Sequence, residues 1–297
     1  MQRDFLGYGD APPAMSWPGN AGLAVSVVLN IEEGAELSLA AGDERNEAVH
    51  EVVQEVHGAP DLCLASHFEY GTRVGYRRIL NVAQAHDIPL TLNACARSLV
   101  GLPWLAQDAI AKGHEICSHG WRWEAHAGMK EEDERALIAR AYKEILRVSG
   151  VAPTGWHTKS SASVNTRRLL VEHGGFHYDS DAYNDDLPYY LLVTGKQHLV
   201  LPYCFDNNDM RFFGSHAFVK GSDFSDYVID SFDWMLRESA HQPKMMSIGL
   251  HLRIIGRAGR IAGLSTIFKH MRQKQGVWIA RRDEIARHWR QAVPSTN

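Results

Sequence analysis

From position 23 the chain reads Leu-Ala-Val-Ser-Val-Val-Leu-Asn, an apolar run without alternation that ends in charge at Glu32 and Glu33. A strand buried on both faces has this form, because a sheet with one wet face would place polar residues at every second position. Beyond it, short apolar runs alternate with longer stretches whose apolar positions recur three and four residues apart. That period predicts helices over 46–57, 77–86, 104–112, 130–149, 165–173, 224–239, 259–274 and 282–290. The runs between them predict strands over 88–93, 114–118, 154–157, 176–178, 197–203, 245–251 and 276–280. The stretch 130–149 is the plainest helix, with Ala136, Ile138, Ala141, Ile145 and Leu146 as its apolar stripe. Gly113, between a helix and a strand, suits a helix C-cap.

Strands that alternate with helices of this length build βα units around a parallel sheet, and their number favours a closed barrel over an open sheet. The expected fold is α/β, one (β/α) barrel domain over 23–297. Residues 1–22 are rich in Gly, Pro and Trp and show neither period. Phe5, Tyr8 and Trp17 give this arm apolar surface to bury, so it is expected to pack on the barrel or on a neighbouring subunit.

Composition narrows the function. With 297 residues, 45% of them hydrophobic, the chain can bury a full core, and no linker tract or internal repeat divides it. A net charge of -4 offers no broad basic surface, so nucleic acid is not an expected partner and a small molecule is. The N-terminal segment lacks a signal-like apolar stretch and no run reaches membrane-spanning length, which points to a cytoplasmic protein without a membrane partner. Cys63, Cys95, Cys117 and Cys204 lack paired spacing, so they are read as reduced and mostly buried, with Cys117 beside a candidate site.

A βα barrel carries its chemistry at the carboxyl ends of its strands. Four polar clusters fall there: Asn30-Ile-Glu-Glu-Gly34, Ser118-His-Gly-Trp-Arg-Trp123, the acidic stretch 179–186, and His251-Leu-Arg-Ile-Ile-Gly-Arg257. Glu32 and Glu33 are adjacent, and mutual repulsion would raise one pKa into the range of a general base; two solvated carboxylates in a turn are the alternative. His119 and His251 are strand-end imidazoles, either catalytic or simply packed. Arg253, Arg257 and Arg260 form a cluster suited to a carboxylate or a polarised carbonyl, or else a solvated loop. Trp121 and Trp123 supply either an aromatic wall or ordinary packing. The acidic stretch lacks the spaced ligands and closing Glu of a calcium loop.

The order of these clusters resembles the polysaccharide deacetylase (NodB-homology) family. Its first motif, Thr-Phe-Asp-Asp-Gly, aligns with Asn30-Ile31-Glu32-Glu33-Gly34; its second, His-Ser/Thr-x-x-His after a Gly-His-Glu-Ile strand, aligns with Gly113-His-Glu-Ile116, His119 and Trp123. Leu250-His251 matches the motif that carries the catalytic acid. The branch of cofactor-independent allantoinases is more similar still, through Glu32-Glu-Gly34, Asp87-Ile-Pro-Leu-Thr91, Gly113 through Trp123, Asp185-Asp-Leu-Pro-Tyr189, Asn208-Asp-Met-Arg-Phe212 and Ile248-Gly-Leu-His251. The chain departs from that branch at Gly155-Trp-His-Thr-Lys-Ser-Ser-Ala-Ser-Val164, where Gly-Trp-Tyr-Thr-Gly-Arg is usual, and at Ala65-Ser-His-Phe68, where Glu-Ser is common.

The resemblance implies a distorted (β/α) barrel of the polysaccharide-deacetylase type, a homo-oligomer with a tetramer as the candidate assembly, and hydrolysis of a carbon–nitrogen bond. The leading expectation is ring-opening of a small cyclic amide such as allantoin or a related hydantoin or imide, within purine catabolism. Glu32 or Glu33 with His119 would handle the water, His251 would protonate the leaving nitrogen, and Arg257 or a backbone N–H would meet the oxyanion. Trp123, Trp156, Asp181 and Tyr183 would bind substrate. The alternatives are a metal-dependent N-deacetylase of acylated amino sugars and a non-catalytic metabolite-binding barrel. No cofactor is expected, because a catalytic zinc needs three protein ligands and Trp123, at the second His position, has no lone pair to offer. The alternative zinc set is Glu33, His119 and His126, with His67 and His157 as further candidate ligands.

Overall fold

The computed structural model describes residues 3–52, 54–159, 161–214 and 217–295. Every residue of β1 (Leu23–Ile31) is buried, as its unbroken apolar pattern requires. β1 lies between β8 (Lys244–His251) on one side and, on the other, β9 (Val277–Ile279) along its first half and β2 (Leu90–Ala94) along its second. The sheet continues from β2 through β3 (Glu115–Ser118), β4 (Gly155–Trp156), β5 (Tyr178–Asp179) and β7 (Lys196–Val200) to β6 (Tyr189–Val193). All pairings are parallel except the β6–β7 hairpin. The curled sheet matches the distorted (β/α) barrel in one domain. Between β7 and β8 the wall is thin, with Asn208 bridging Gly249.

The helices follow the sequence period closely over α2 (Tyr76–Ala85), α4 (Pro103–Ala111), α6 (Thr166–His173), α7 (Gly221–Glu238), α9 (Ala258–Arg272) and α10 (Arg282–Ala292). In α5 (Glu131–Ser149) the face is rotated from the expected stripe: Glu134, Ile138, Ala141, Ile145 and Val148 are buried, while Ala136 and Leu146 are exposed. The buried set repeats at helical spacing, and Glu134 can join it because His126, Ser163 and Thr166 all bond its carboxylate.

Other departures surround the site. The expected helix over 46–57 is loop throughout its described residues; Val53 lies outside them. In its place α1 (Leu62–Tyr70) runs through a π turn (Gly71–Gly75) into α2. Short helices α3 (Ala96–Gly101) and α8 (Leu252–Ile255) follow β2 and β8 directly, and neither they nor the β6 strand stood out in the sequence.

The arm lies at the opposite end of the sheet. Trp17 is buried beside Trp278, Trp289 and His288, and its indole N–H donates to the Lys244 carbonyl at 2.9 Å. The Tyr8 hydroxyl donates to the Pro188 carbonyl, whereas Phe5 is exposed. No helix among the described residues is long and apolar enough to cross a membrane. Cys95 and Cys117 are buried, Cys204 is partly covered, and Cys63 is exposed, against the expectation that most are buried.

Candidate active site

Parallel pairing puts the ends of β1, β3, β4 and β8 at one rim, and that rim gathers side chains distant in sequence. Asn30 pairs in register with His251, and Ser118 with Trp156, so Glu32, His119, His157 and His251 each leave a strand at a similar height. Glu32 is buried at the centre. Its Oε1 lies 3.4 Å from His251 Nε2 and 3.7 Å from His119 Nε2, and its Oε2 accepts from Arg253 Nη1 at 2.8 Å. Burial opposes the charge on Glu32, but His251 and Arg253 outweigh it and hold the carboxyl well below the usual range.

His251 is clasped from behind by Asp209. The imidazole Nδ1 donates to Asp209 Oδ1 at 2.6 Å, while Oδ2 accepts the backbone N–H groups of His251 and Ile255. Burial would drive His251 towards neutrality, yet carboxylates on both sides raise its pKa to about 10. It is therefore an imidazolium at neutral pH, with Nε2–H aimed at Glu32.

His119 has the opposite arrangement. Its Nδ1–H donates to the His157 carbonyl at 2.5 Å, which in the neutral ring leaves Nε2 as a bare lone pair facing Glu32. His157 accepts at Nδ1 from Asn93 at 2.9 Å and meets the Tyr183 hydroxyl through Nε2 at 3.1 Å. Burial, with Arg282 nearby, keeps the His157 ring neutral by pushing its pKa well below the usual value.

Glu33 turns away from this centre. Its Oε1 packs against Gly71 of the π turn, where an added Cβ would come within 2.4 Å, and that oxygen has no hydrogen-bond partner among the described residues. Burial raises its pKa to about 7, with Arg253 opposing and Glu32 adding to the rise. The adjacent carboxylates thus separate into a firmly ionised Glu32 and a Glu33 that is half protonated near neutrality.

Beside Glu32, the buried Arg253 also donates through Nε to Glu51 Oε1 at 2.8 Å and lies over the rings of Phe68 and Trp123. Burial opposes ionisation of Glu51, but His67 and Arg253 prevail and lower its pKa to about 2. Trp123 completes the wall, with the Lys159 ammonium 3.5 Å from its ring centroid. Lys159 stands in the segment that departs from the allantoinase pattern; Ser160 lies outside the described residues.

The other substrate-binding expectations separate. Arg257 does not reach the centre: it donates to His67 Nδ1 and to the Arg253 carbonyl and stacks on Tyr70, whereas Arg253 reaches Glu32. Trp156 is buried in the core with its N–H spent on Thr158, and Asp181 is bonded twice to Thr158. Burial and the neighbouring Asp179 raise the Asp181 pKa to about 7. Tyr183 borders the site through His157, with Phe205 stacked on its ring. In the acidic stretch, Asp179 is committed to Arg167 and His198.

Among the described residues Glu33, His119 and His126 are not brought together as a ligand set. His126 bonds Glu134 of α5 at 3.0 Å, and the carboxylate nearest His119 already carries a guanidinium. Trp123, in the place of the missing imidazole, is lined by two cations rather than by lone pairs.

A family model for polysaccharide deacetylases matches residues 58–178. A Schizosaccharomyces pombe protein assigned to the polysaccharide deacetylases is 36% identical across 97% of this chain and 96% of its own length. The chain belongs to the polysaccharide deacetylase family. Two solved structures of that fold superpose on all of it. One, a Puue allantoinase, has 44% sequence identity, 99% of its chain covered and a TM-score of 0.95. The other, assigned to the polysaccharide deacetylases of Pseudomonas aeruginosa PAO1, has 42% identity, 100% of its chain covered and a TM-score of 0.95. The protein is thus a hydrolase of this family.

Asp209 and Glu51 went unassigned in the sequence. Asp209 falls inside Asn208-Asp-Met-Arg-Phe212, a segment shared with the allantoinase branch, and this is the signal that singles it out. Glu51 has none, since its stretch reads as helix.

Proposed function

We propose that this hydrolase opens a small cyclic amide, allantoin or a related hydantoin or imide, without a tightly held metal. The observation that carries the reading is the pairing of Arg253 with Glu32 beside Trp123, which puts fixed positive charge where a deacetylase of this family would need a third ligand. The similarity to the Puue allantoinase supports the same choice.

In this reading a water sits between Glu32 Oε1 and His119 Nε2, which both accept and lie 3.7 Å apart. It donates one proton to each and keeps an oxygen lone pair for the ring carbonyl carbon. As the new C–O bond forms, one water proton passes to the Glu32–His119 couple, and the positive charges of Arg253 and His251 favour the developing oxyanion. The C–N bond then breaks, and the ring nitrogen takes the Nε2 proton of His251. An acid with a pKa of about 10 stays charged throughout the neutral range and is strong enough to protonate a departing amide anion.

The test is turnover on a panel of allantoin, hydantoin, a cyclic imide and chitooligosaccharides. Ring-opening with no acetate release is expected. Acetate from the oligosaccharides with no ring-opening would replace this reading with N-deacetylation, and inertness on every substrate would favour a binding barrel.

A further inference from the structure

Next to the reacting centre, three buried polar atoms on three separate elements have no hydrogen-bond partner among the described residues: Arg253 Nη2 on α8, Glu51 Oε2 on the loop before α1, and His67 Nε2 on α1. Native proteins rarely leave such atoms unmatched, because each costs the desolvation it has already suffered. The three are linked. Arg253 Nε bonds Glu51 Oε1 at 2.8 Å, and His67 Nε2 lies 3.8 Å from that same oxygen. The side chains of Arg253 and Glu51 are 0% and 1% exposed, while His67 is 21% exposed and marks the side open to solvent.

Their polarity is set by the bonds already made. Arg253 Nη2 can only donate. His67 accepts a hydrogen bond from Arg257 at Nδ1, so its own proton is on Nε2 and it donates too. Glu51 Oε2 accepts. The complement is a flat group presenting a carbonyl oxygen beside an N–H, while the Phe68 and Trp123 rings wall the guanidinium.

We propose that Arg253, Glu51 and His67 form a second subsite that holds a non-reacting ureido arm of the substrate, its carbonyl on Arg253 and His67 and its N–H on Glu51. This deepens the ring-opening reading and rests on it: the ring to be cut lies on Glu32, His119 and His251, and the arm beside them selects a ureido-substituted ring over a bare one. An acetylated sugar fits less well, because its one amide is consumed at the reacting centre and leaves nothing to match this trio.

The test compares kcat/KM on allantoin, which carries a ureido arm, with kcat/KM on hydantoin, the same ring without it, for the wild type, Glu51→Gln and His67→Gln. Glu51→Gln keeps a carbonyl to accept from Arg253 Nε but loses the charge that grips the arm. The allantoin-to-hydantoin ratio is expected to fall about 10- to 100-fold, mainly through KM. His67→Gln, nearer the surface, should lower the ratio less. A ratio that stays at the wild-type value in both variants, whatever loss the two substrates share, would mean that the trio only supports the reacting centre and would overturn the subsite. Should the wild type open neither ring, the ring-opening reading falls and binding decides the subsite alone: allantoin must raise the Tm of the wild type and not of Glu51→Gln, and no rise in either would reject it.

Discussion

Replacing Asp209 by Asn isolates the group that holds His251 in its charged form. Asp209 Oδ2 accepts two backbone N–H groups, and Oδ1 accepts the His251 Nδ1 proton. An Asn has one oxygen. If that oxygen keeps the two backbone donors, its NH2 group faces Nδ1, which must then give up its proton and accept. The ring becomes a neutral tautomer with its proton on Nε2, an acid far too weak to protonate a leaving nitrogen near neutral pH. In the wild type the pKa stands at about 10, raised from 6.5 against burial by Glu32 and Asp209, a gain of roughly 5 kcal/mol in favour of the imidazolium. Loss of one of two carboxylates would bring the pKa near or below 7 and lower kcat at pH 8 by about 10²- to 10⁴-fold. The sign is that of a required acid: activity persists below its pKa and is lost as pH rises through it. The pH profile of kcat should therefore lose its alkaline limb near pH 10 and show one several units lower in the variant. Unchanged folding by circular dichroism is expected, since the backbone bonds survive. A variant that keeps kcat within about threefold with its alkaline limb unmoved would refute the acid role of His251.

Glu32→Gln should reduce kcat by about 10²- to 10⁴-fold, and Glu33→Gln by less than tenfold, because Glu32 alone faces both histidines; equal, mild losses would return both to a structural role. Glu33→Gln should also raise Tm at pH 8, with the gap closing towards pH 4.5. Its carboxyl is raised from 4.5 to about 7 in the fold, so the stability of the protonated form is complete below 4.5 and is lost as pH rises through 7, at a cost of roughly 3 kcal/mol by pH 8; a variant less stable at pH 8 would contradict this. Arg282 is fully buried and bonds Ser26, Ser180, Ser247 and the carbonyls of Leu201 and Pro202 across the barrel. Arg282→Lys cannot span that set and should cost about 3–5 kcal/mol in denaturant unfolding. Elemental analysis of the purified enzyme should find no stoichiometric zinc, and a chelator should leave turnover intact; activity lost on chelation and restored by zinc would reinstate metal chemistry.

Much of the architecture was legible locally. The unbroken apolar run of β1 and the helical period of the later segments depend on burial of near neighbours, which sequence spacing records directly. Parallel βα order then places strand ends on one rim, so Glu32, His119 and His251 could be named before any contact was known. The partition between Glu32 and Glu33 could not, because it comes from what each meets across the barrel: His119, His251 and Arg253 for one, the bare backbone of Gly71 for the other. The loop over 46–57 failed as a helix for the same kind of reason. Its Glu47 and Glu51 are drawn into ion pairs with Lys159 and Arg253, more than a hundred residues away, and such partners outweigh a modest helical propensity. Asp209 has no period or spacing to mark it, and only the crossing of its turn behind β8 brings it to His251. Sequence spacing thus determined the scaffold and the rim, where the physics is local; tertiary contacts decided the charge states and partners of the buried groups, which depend on residues far apart in the chain.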